Sequence, residues 1–228
     1  QTRLARLGIF NEIDINAVPD TLAEIPTLDI NINCTIDRPF ELGLEANVAS
    51  KSNSYIGPGL KLNLTNKNIF GGGEQLSIDL SGSYEWQTGS GQRKSIFNSY
   101  AFSLSGSLAF PRLLAPKWLS KRSRELNWTR ITLDGSILNR PHYFRMAQFN
   151  AGITYDWQYS RHVSNSLTLF KFSYNKLLNT TAQFDSIMAV NPSLALSFRD
   201  TYIPQLSYTY TYDRAWKGKR TLNFQFTV

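Results

Sequence analysis

The feature that most constrains this chain is an alternation of apolar and polar residues over long segments. Within residues 74–86, every even position from 76 onward holds an apolar residue or glycine, and odd positions from 77 onward hold Ser, Asp or Glu. Successive side chains of a β-strand point to opposite faces, so the pattern predicts a strand with one apolar and one polar face. A helix would place Ile78 on the side opposite to Leu76 and Leu80.

The same alternation recurs along most of the chain. It predicts nine strands, around residues 40–48, 60–65, 74–86, 100–110, 131–137, 149–159, 166–177, 206–212 and 222–228. The strand around 166–177 is the least regular, because Lys171 interrupts its apolar side. Many of these segments reach the roughly 9–11 residues that a tilted membrane strand needs, whereas strands of globular proteins average about 5–6.

Composition and aromatic placement favour the same kind of fold. Charged residues make up only 18% of the chain, against about a quarter in soluble domains. Aromatic residues cluster where strands end, as in Tyr84/Trp86 and Tyr208/Tyr210/Tyr212, which is typical of the aromatic girdle of a membrane barrel. We therefore expect an all-β fold, a portion of an antiparallel transmembrane β-barrel. The main alternative is a soluble β-sandwich, whose strands also alternate.

Residues 1–37 have a different pattern. We expect the end of a short helix at 2–7, stopped near Gly8, and two strands at 9–18 and 28–36. The turn between these strands would contain Pro19, Asp20 and Pro26. Cys34 is the only cysteine, so no intrachain disulfide is possible, and its place on an apolar strand face predicts a buried side chain. These elements make half of a small α+β module.

The connection at 176–203 lacks alternation. We expect a long excursion between strands, with a short helix at 182–190 that ends before Pro192. Glycines 71–73 predict a tight turn rather than a phosphate-binding loop, because no Gly-Lys-Ser/Thr motif follows.

No constellation of residues predicts an enzyme. The acids of the strands alternate on polar faces, as a water-filled lumen requires: Asp79, Glu85, Asp134 and Asp156. His142 and His162 have no ligand partners at metal spacing. We therefore expect no catalytic residues, no metal and no cofactor. The net charge of +7 is spread along the chain, which predicts no nucleic-acid partner.

Several segments carry a resemblance to a known family. Arg6–Ile15 (RLGIFNEIDI) resembles the end of the last POTRA domain of BamA/TamA-family outer-membrane proteins. Phe40–Asn47 (FELGLEAN) resembles their first barrel strand, and Lys61–Glu74 (KLNLTNKNIFGGGE) their second strand and the turn after it. Later segments, such as Leu108–Arg112 and Phe184–Pro204, look most like Bacteroidetes members. The resemblance covers most of the chain through short motifs in matching order.

The resemblance implies a division of the chain and a location. Residues 1–37 would be the C-terminal part of a POTRA-like domain in the periplasm. Residues 38–228 would be the first half of a sixteen-stranded barrel in the bacterial outer membrane. The family's arginine-glycine loop motif is absent and the sequence stops within the ninth strand, which predicts that the chain is a fragment.

The resemblance also implies a function. Such barrels assist the folding and insertion, or translocation, of other outer-membrane proteins by strand pairing at a barrel seam. Outer-membrane lipid, nascent β-barrel proteins and accessory assembly subunits would be the partners. The pairing atoms would belong to the backbone of the first barrel strand, 40–53, at these residues: Glu41, Leu42, Gly43, Leu44, Glu45, Ala46, Asn47 and Val48.

Two alternative functions stay open at this point, and so do two interpretations of Gly43. A passive porin or transport barrel shares every alternation argument, and a soluble β-sandwich binding protein shares most of them. Gly43 either weakens the seam strand, because glycine packs nothing, or relieves crowding on the lumen side.

Overall fold

The computed structural model describes residues 4–5, 7–20, 27–50, 55–87, 99–114, 127–141, 143–160, 162–216 and 220–228. These residues form two antiparallel sheets and two short helices. The smaller sheet pairs β1 with β2, and the larger sheet has nine strands. In chain order the elements are β1 (Phe10–Asp20), β2 (Thr27–Ile36), β3 (Phe40–Ser50), β4 (Tyr55–Asn66), β5 (Gln75–Gln87), β6 (Ser99–Phe110), β7 (Trp128–Arg140), β8 (Phe144–Ser160), β9 (Val163–Thr180), α1 (Ala182–Val190), α2 (Pro192–Ser197), β10 (Thr201–Trp216) and β11 (Arg220–Thr227).

The nine-stranded sheet is an antiparallel meander. Each strand from β3 to β11 pairs with the one before and the one after it, so the spatial order equals the chain order. The predicted nine strands are confirmed, and so is their antiparallel arrangement. β3 and β11 are the two edges, and in the part of the chain that is described they do not pair with each other.

The register joins the alternating patterns into two continuous faces. One row across the sheet contains Leu42, Leu64, Ile78, Gly106, Leu133, Ala151 and Phe172. The next row contains Gly43, Asn63, Asp79, Ser105, Asp134, Asn150 and Ser173. We call the first side the apolar face and the second the polar face. The predicted acids Asp79, Asp134 and Asp156 lie on the polar face, as expected.

A β-bulge explains the irregular ninth strand. Ile153 of β8 pairs with Phe170, but the next residue, Thr154, pairs with Thr168, so Leu169 is an extra residue in β9. An extra residue exchanges the two faces of a strand beyond it. Lys171 consequently lies opposite Gly152 on the polar face. The expectation that Lys171 breaks an apolar face was wrong, because the bulge could not be read from the alternation.

The sheet has two distinct ends. We call the end where β3 begins the linker end, because residues 37–39 join it to β2. The opposite end is the helical end, because α1 and α2 connect β9 to β10 there. The predicted helix 182–190 is confirmed, but the excursion is shorter than 176–203, since β9 continues to Thr180 and β10 starts at Thr201. The helix α2 was not predicted.

The helices carry the main buried cluster of the described residues. Phe144 and Phe184 are only 7% and 5% exposed, and their ring centroids lie 5.2 Å apart. Phe198 contacts both, at 4.6 and 5.0 Å. Phe144 shares the polar side of β8 with Met146 and Gln148. The helices therefore cover the helical end of the polar face.

The two-stranded sheet corrects two expectations. The strands 9–18 and 28–36 are confirmed, but Pro19 and Asp20 pair within β1 instead of forming a turn, and Pro26 lies outside the described residues. Residues 4–5 are helical and the turn ends at Gly8, whose φ is 69°. Cys34 is exposed, not buried, because no described layer covers the face that it shares with Ile30 and Ile32.

Burial in the large sheet is inverted relative to a soluble protein. In β6, Tyr100, Phe102 and Leu104 are exposed, whereas the serines between and after them are half-buried. Substantial contacts between described strands join hydrogen-bonded neighbours within a sheet, so no second layer packs on the apolar face. Within the described ranges, no helix has both the length and the hydropathy of a membrane span.

Candidate functional site: the edge strand and its anchor

The eight residues predicted for strand pairing all lie in β3, at one edge of the large sheet. Each pairs with β4 on one side only, from Glu41 with Thr65 to Val48 with Pro58. All eight are exposed. Residues 51–53, which the predicted seam strand includes, lie outside the described residues. An edge strand presents a row of backbone N–H and C=O groups to which another strand can pair.

Side chains along this edge alternate in character. Leu42, Leu44, Ala46 and Val48 lie on the apolar face, and their exposed fractions include 71% for Leu42 and 72% for Val48. Glu41, Glu45 and Asn47 lie on the polar face. The two glutamates are the only charges of the strand, and charged side chains on an edge discourage unspecific pairing.

Steric crowding does not require glycine at position 43. A Cβ added to Gly43 would lie 3.6 Å from the Asn63 Cβ, an ordinary van der Waals contact. Glycine in a strand packs nothing and costs about 0.5–1 kcal/mol relative to alanine. Of the two readings of Gly43, the geometry favours a weakened strand over relief of crowding.

A lysine that no sequence motif marks, Lys67, anchors the start of β3. The Lys67 Nζ forms an ion pair with Glu41 and lies 3.4 Å from the Asp37 Oδ2 in the linker. The backbone N–H of Lys67 also donates to the Pro39 carbonyl at 2.9 Å. Lys67, the residue directly after β4, therefore holds both the linker and the first residues of the edge strand. No local signal identifies Lys67, because its partners are distant in sequence.

The charges of this anchor shift two pKa values. The pKa of Asp37 is lowered from its ordinary value of 3.8, first by the backbone N–H of Arg38 and then by Lys67. The pKa of Lys67 is raised above 10.5, mainly by its hydrogen bond to Glu41. Asp37 and Lys67 are therefore both ionised at neutral pH, and their opposite charges attract each other.

The turn between β4 and β5 connects the large sheet to the N-terminal segment. Gly71 and Gly73 have φ values of 87° and 85°, which confirms the predicted glycine turn. The Gly73 N–H donates to the Asn68 Oδ1 at 2.8 Å. Directly after the turn, the Gln75 Nε2 donates to the Leu7 carbonyl at 3.2 Å. The N-terminal segment thus contacts the same end of the sheet where β3 begins.

β4 supports the edge strand through an unusually close approach to β5. Gly57 is buried, and a Cβ added to it would lie 1.8 Å from the Tyr84 carbonyl oxygen. Pairing of β4 with β5 lapses at Gly57 and Pro58, between the pairs of Ile56 and Gly59. The sequence pattern predicted β4 only from residue 60, because Pro58 with its flanking glycines is typical of a turn.

The polar face beside the edge is hydrogen-bonded across strands. Asp79 accepts from the Asn63 Nδ2 at 2.9 Å and lies 3.3 Å from the Lys61 Nζ. Farther along, Asp156 accepts from the Ser166 hydroxyl at 2.6 Å and lies 3.7 Å from Arg130. These hydrogen bonds and ion pairs link neighbouring strands across the polar face.

The described residues contain no candidate metal site. No three His, Cys, Asp or Glu residues lie close enough together there to hold a metal ion. The Nδ1 of His162 lies 2.9 Å from the Asp213 carbonyl oxygen, in the turn before β9, and His142 lies outside the described ranges.

Two comparisons with known proteins, one with family models and one with curated proteins, bear on the family. No family model matches the chain, and no curated protein matches it. Membership of the BamA/TamA family therefore stays a prediction from the short motifs.

Proposed function

We propose that this chain is the first half of an outer-membrane β-barrel that assists the folding and insertion, or translocation, of other outer-membrane proteins. Client strands pair with the free edge of β3. The proposal rests first on the bare apolar face of the nine-stranded sheet. The passive transport barrel is the alternative that shares this observation.

The apolar face supports a lipid environment. Leu44, Leu60 and Leu133 are 70%, 55% and 54% exposed, and each of the nine strands carries at least one exposed large apolar or aromatic side chain. Soluble monomers expose contiguous apolar patches of only about 300–600 Å². A sandwich would bury such a face under a second sheet, whereas hydrocarbon requires no protein layer.

The spacing of aromatic side chains on β10 matches the thickness of a membrane. Tyr202 and Tyr212 lie on the apolar face toward opposite ends of the strand, ten positions apart. At about 3.3 Å per residue and a tilt of about 40°, they are separated by about 25 Å along the membrane normal. The outward apolar band of known barrels has about this height.

The edge supports strand pairing as the mechanism. Hydrocarbon contains no hydrogen-bond partners, so a client strand must pair its backbone before it enters lipid. The exposed backbone of residues 41–48 offers such partners by β-augmentation, and the alternating side chains match lipid on one side and water on the other. The anchor at Lys67 holds the linker end of β3 while the client pairs along its outer edge.

The N-terminal sheet would deliver clients to this edge. β2 continues into β3 through residues 37–39, and the Asp37 N–H donates to the Ile9 carbonyl at 2.9 Å. A strand captured beside β1–β2 would therefore arrive next to the start of β3. We propose a periplasmic location for residues 1–37, as their resemblance to the end of a POTRA domain implies.

Disulfide capture tests the pairing. In a Cys34→Ser background, the full-length protein carrying Glu45→Cys is reconstituted in liposomes and given an unfolded outer-membrane protein with single cysteines scanned along its terminal strand. We expect cross-links at alternate client positions, because only one face of a strand meets the Glu45 side. Ser105→Cys, on the polar face of the interior strand β6, is the control. Equal cross-linking at both sites, or none with ion conductance retained, would favour the passive barrel.

A further inference from the structure

The apolar face has a groove next to the edge strand. Its volume is about 640 Å³, within the range of small-molecule sites. It runs across the first four strands of the sheet, and its lining is largely apolar, with Ala46, Val48, Pro58, Leu60, Gly82 and Phe102 among the lining residues.

Small residues create this groove. Gly82 lies between Leu60 of β4 and Phe102 of β6, and a Cβ added to it would have no atom within 4 Å. Ala46 of β3 and Pro58 of β4, whose side chains are short, line the groove on the side of the edge strand. The depression is therefore a property of the side chains along these strands, and it is continuous with the surrounding bare apolar face.

The groove ends in a polar rim toward the helical end. Tyr84 and Tyr100 face each other across β5 and β6 and line the groove. The Tyr100 hydroxyl accepts from the Arg145 Nη2 at 3.2 Å. Arg145 is exposed, and its Nε lies 3.4 Å from the Asn139 Oδ1. The apolar groove thus leads to an aromatic rim and then to a cation.

We propose that this groove is a site for one anionic lipid, with an acyl chain along Gly82 and the phosphate at Arg145. The inference rests on the proposed membrane location and deepens it. Continuity with the apolar face supplies the hydrocarbon phase, and Arg145 supplies charge complementarity, since guanidinium binds phosphate through paired hydrogen bonds. The tyrosines occupy the depth where aromatic rings meet headgroups. The lipid lies beside β3, so it borders the client strand.

Lipid retention tests the site. The full-length protein is reconstituted in vesicles of phosphatidylcholine and phosphatidylglycerol in equal amounts, extracted in mild detergent and analysed by native mass spectrometry for bound lipid. The wild type should retain phosphatidylglycerol preferentially. Gly82→Leu should abolish retention by filling the groove. Arg145→Gln should reduce the preference for the anionic lipid about tenfold, whereas Arg145→Lys should keep part of it.

The matched control is Gly135→Leu. Gly135 also lies on the apolar face with no atom within 4 Å of an added Cβ, but it pairs with Leu104 and Phe149 outside the groove. Equal lipid retention in both glycine variants would overturn the site while leaving the barrel intact. Failure of the wild type to float with vesicles would refute the membrane location itself.

Discussion

Arginine substitutions on the two faces of β6 test the assignment of lipid to one side and water to the other. Leu104 is 49% exposed on the apolar face, between Leu80 and Gly135. Ser105, the next residue, lies on the polar face directly opposite Asp79 and Asp134. The two variants Leu104→Arg and Ser105→Arg therefore place the same charge at the same depth on opposite faces.

The expected effects have opposite signs. Leu104 lies near the middle of a strand of 12 residues, where arginine on the lipid side of a barrel costs about 2–4 kcal/mol. At position 105 the guanidinium would face two carboxylates, and each cross-strand pair of opposite charges contributes roughly 0.2–1 kcal/mol. If water bathed both faces, Leu104→Arg would change stability by no more than about 0.5 kcal/mol, as at other exposed positions.

Urea unfolding from lipid vesicles measures the difference. With an m-value of about 2 kcal/mol/M, Leu104→Arg should lower the unfolding midpoint by about 1–2 M relative to the wild type. Ser105→Arg should leave the midpoint unchanged or raise it. A neutral Leu104→Arg together with a destabilising Ser105→Arg would refute the assignment of the faces, because it would mean that water contacts the apolar side.

Two further predictions concern the support of the edge strand. Gly57→Ala should destabilise the protein by at least about 1–3 kcal/mol, since its Cβ would lie 1.8 Å from the Tyr84 carbonyl oxygen. The control in the same urea assay is Gly82→Ala, which has open space at its Cβ. Equal unfolding midpoints for the two variants would contradict the close approach of β4 to β5 at Gly57. Lys67→Met should raise the pKa of Asp37 toward 3.8 without reaching it, because the backbone hydrogen bond that lowers it most remains; carboxyl carbon NMR measures this, and an unchanged titration would show that the ion pair is absent. Because the folded pKa of Asp37 is lowered, its stabilising contribution is present above pH 3.8 and is lost as the pH falls through the lowered value.

Features of a strand that depend only on its own residues could be predicted from the sequence, whereas features that depend on a neighbouring strand could not. Alternation is a local property with a period of two, so the strands and the side of each residue could be predicted from the sequence for β3 and β5–β8. The predicted side of a residue or start of a strand was wrong at two places where contacts with the neighbouring strand alter the local geometry. The bulge at Leu169 moves Lys171 to the polar face, and the close approach at Gly57 keeps Pro58 within a strand. Both depend on the neighbouring strand, which a single-strand pattern does not describe.

The candidate site divides in the same way. The sequence by itself determined that residues 41–48 form a strand with apolar and polar sides, because each side chain's direction follows from its own position. The resemblance implied that this strand lies at a seam, but only the tertiary structure decided that Lys67 anchors it to Asp37 and Glu41 and that Gly82 opens a groove ending at Arg145. These features depend on which strands are neighbours and in what register, and pairing between strands sets both.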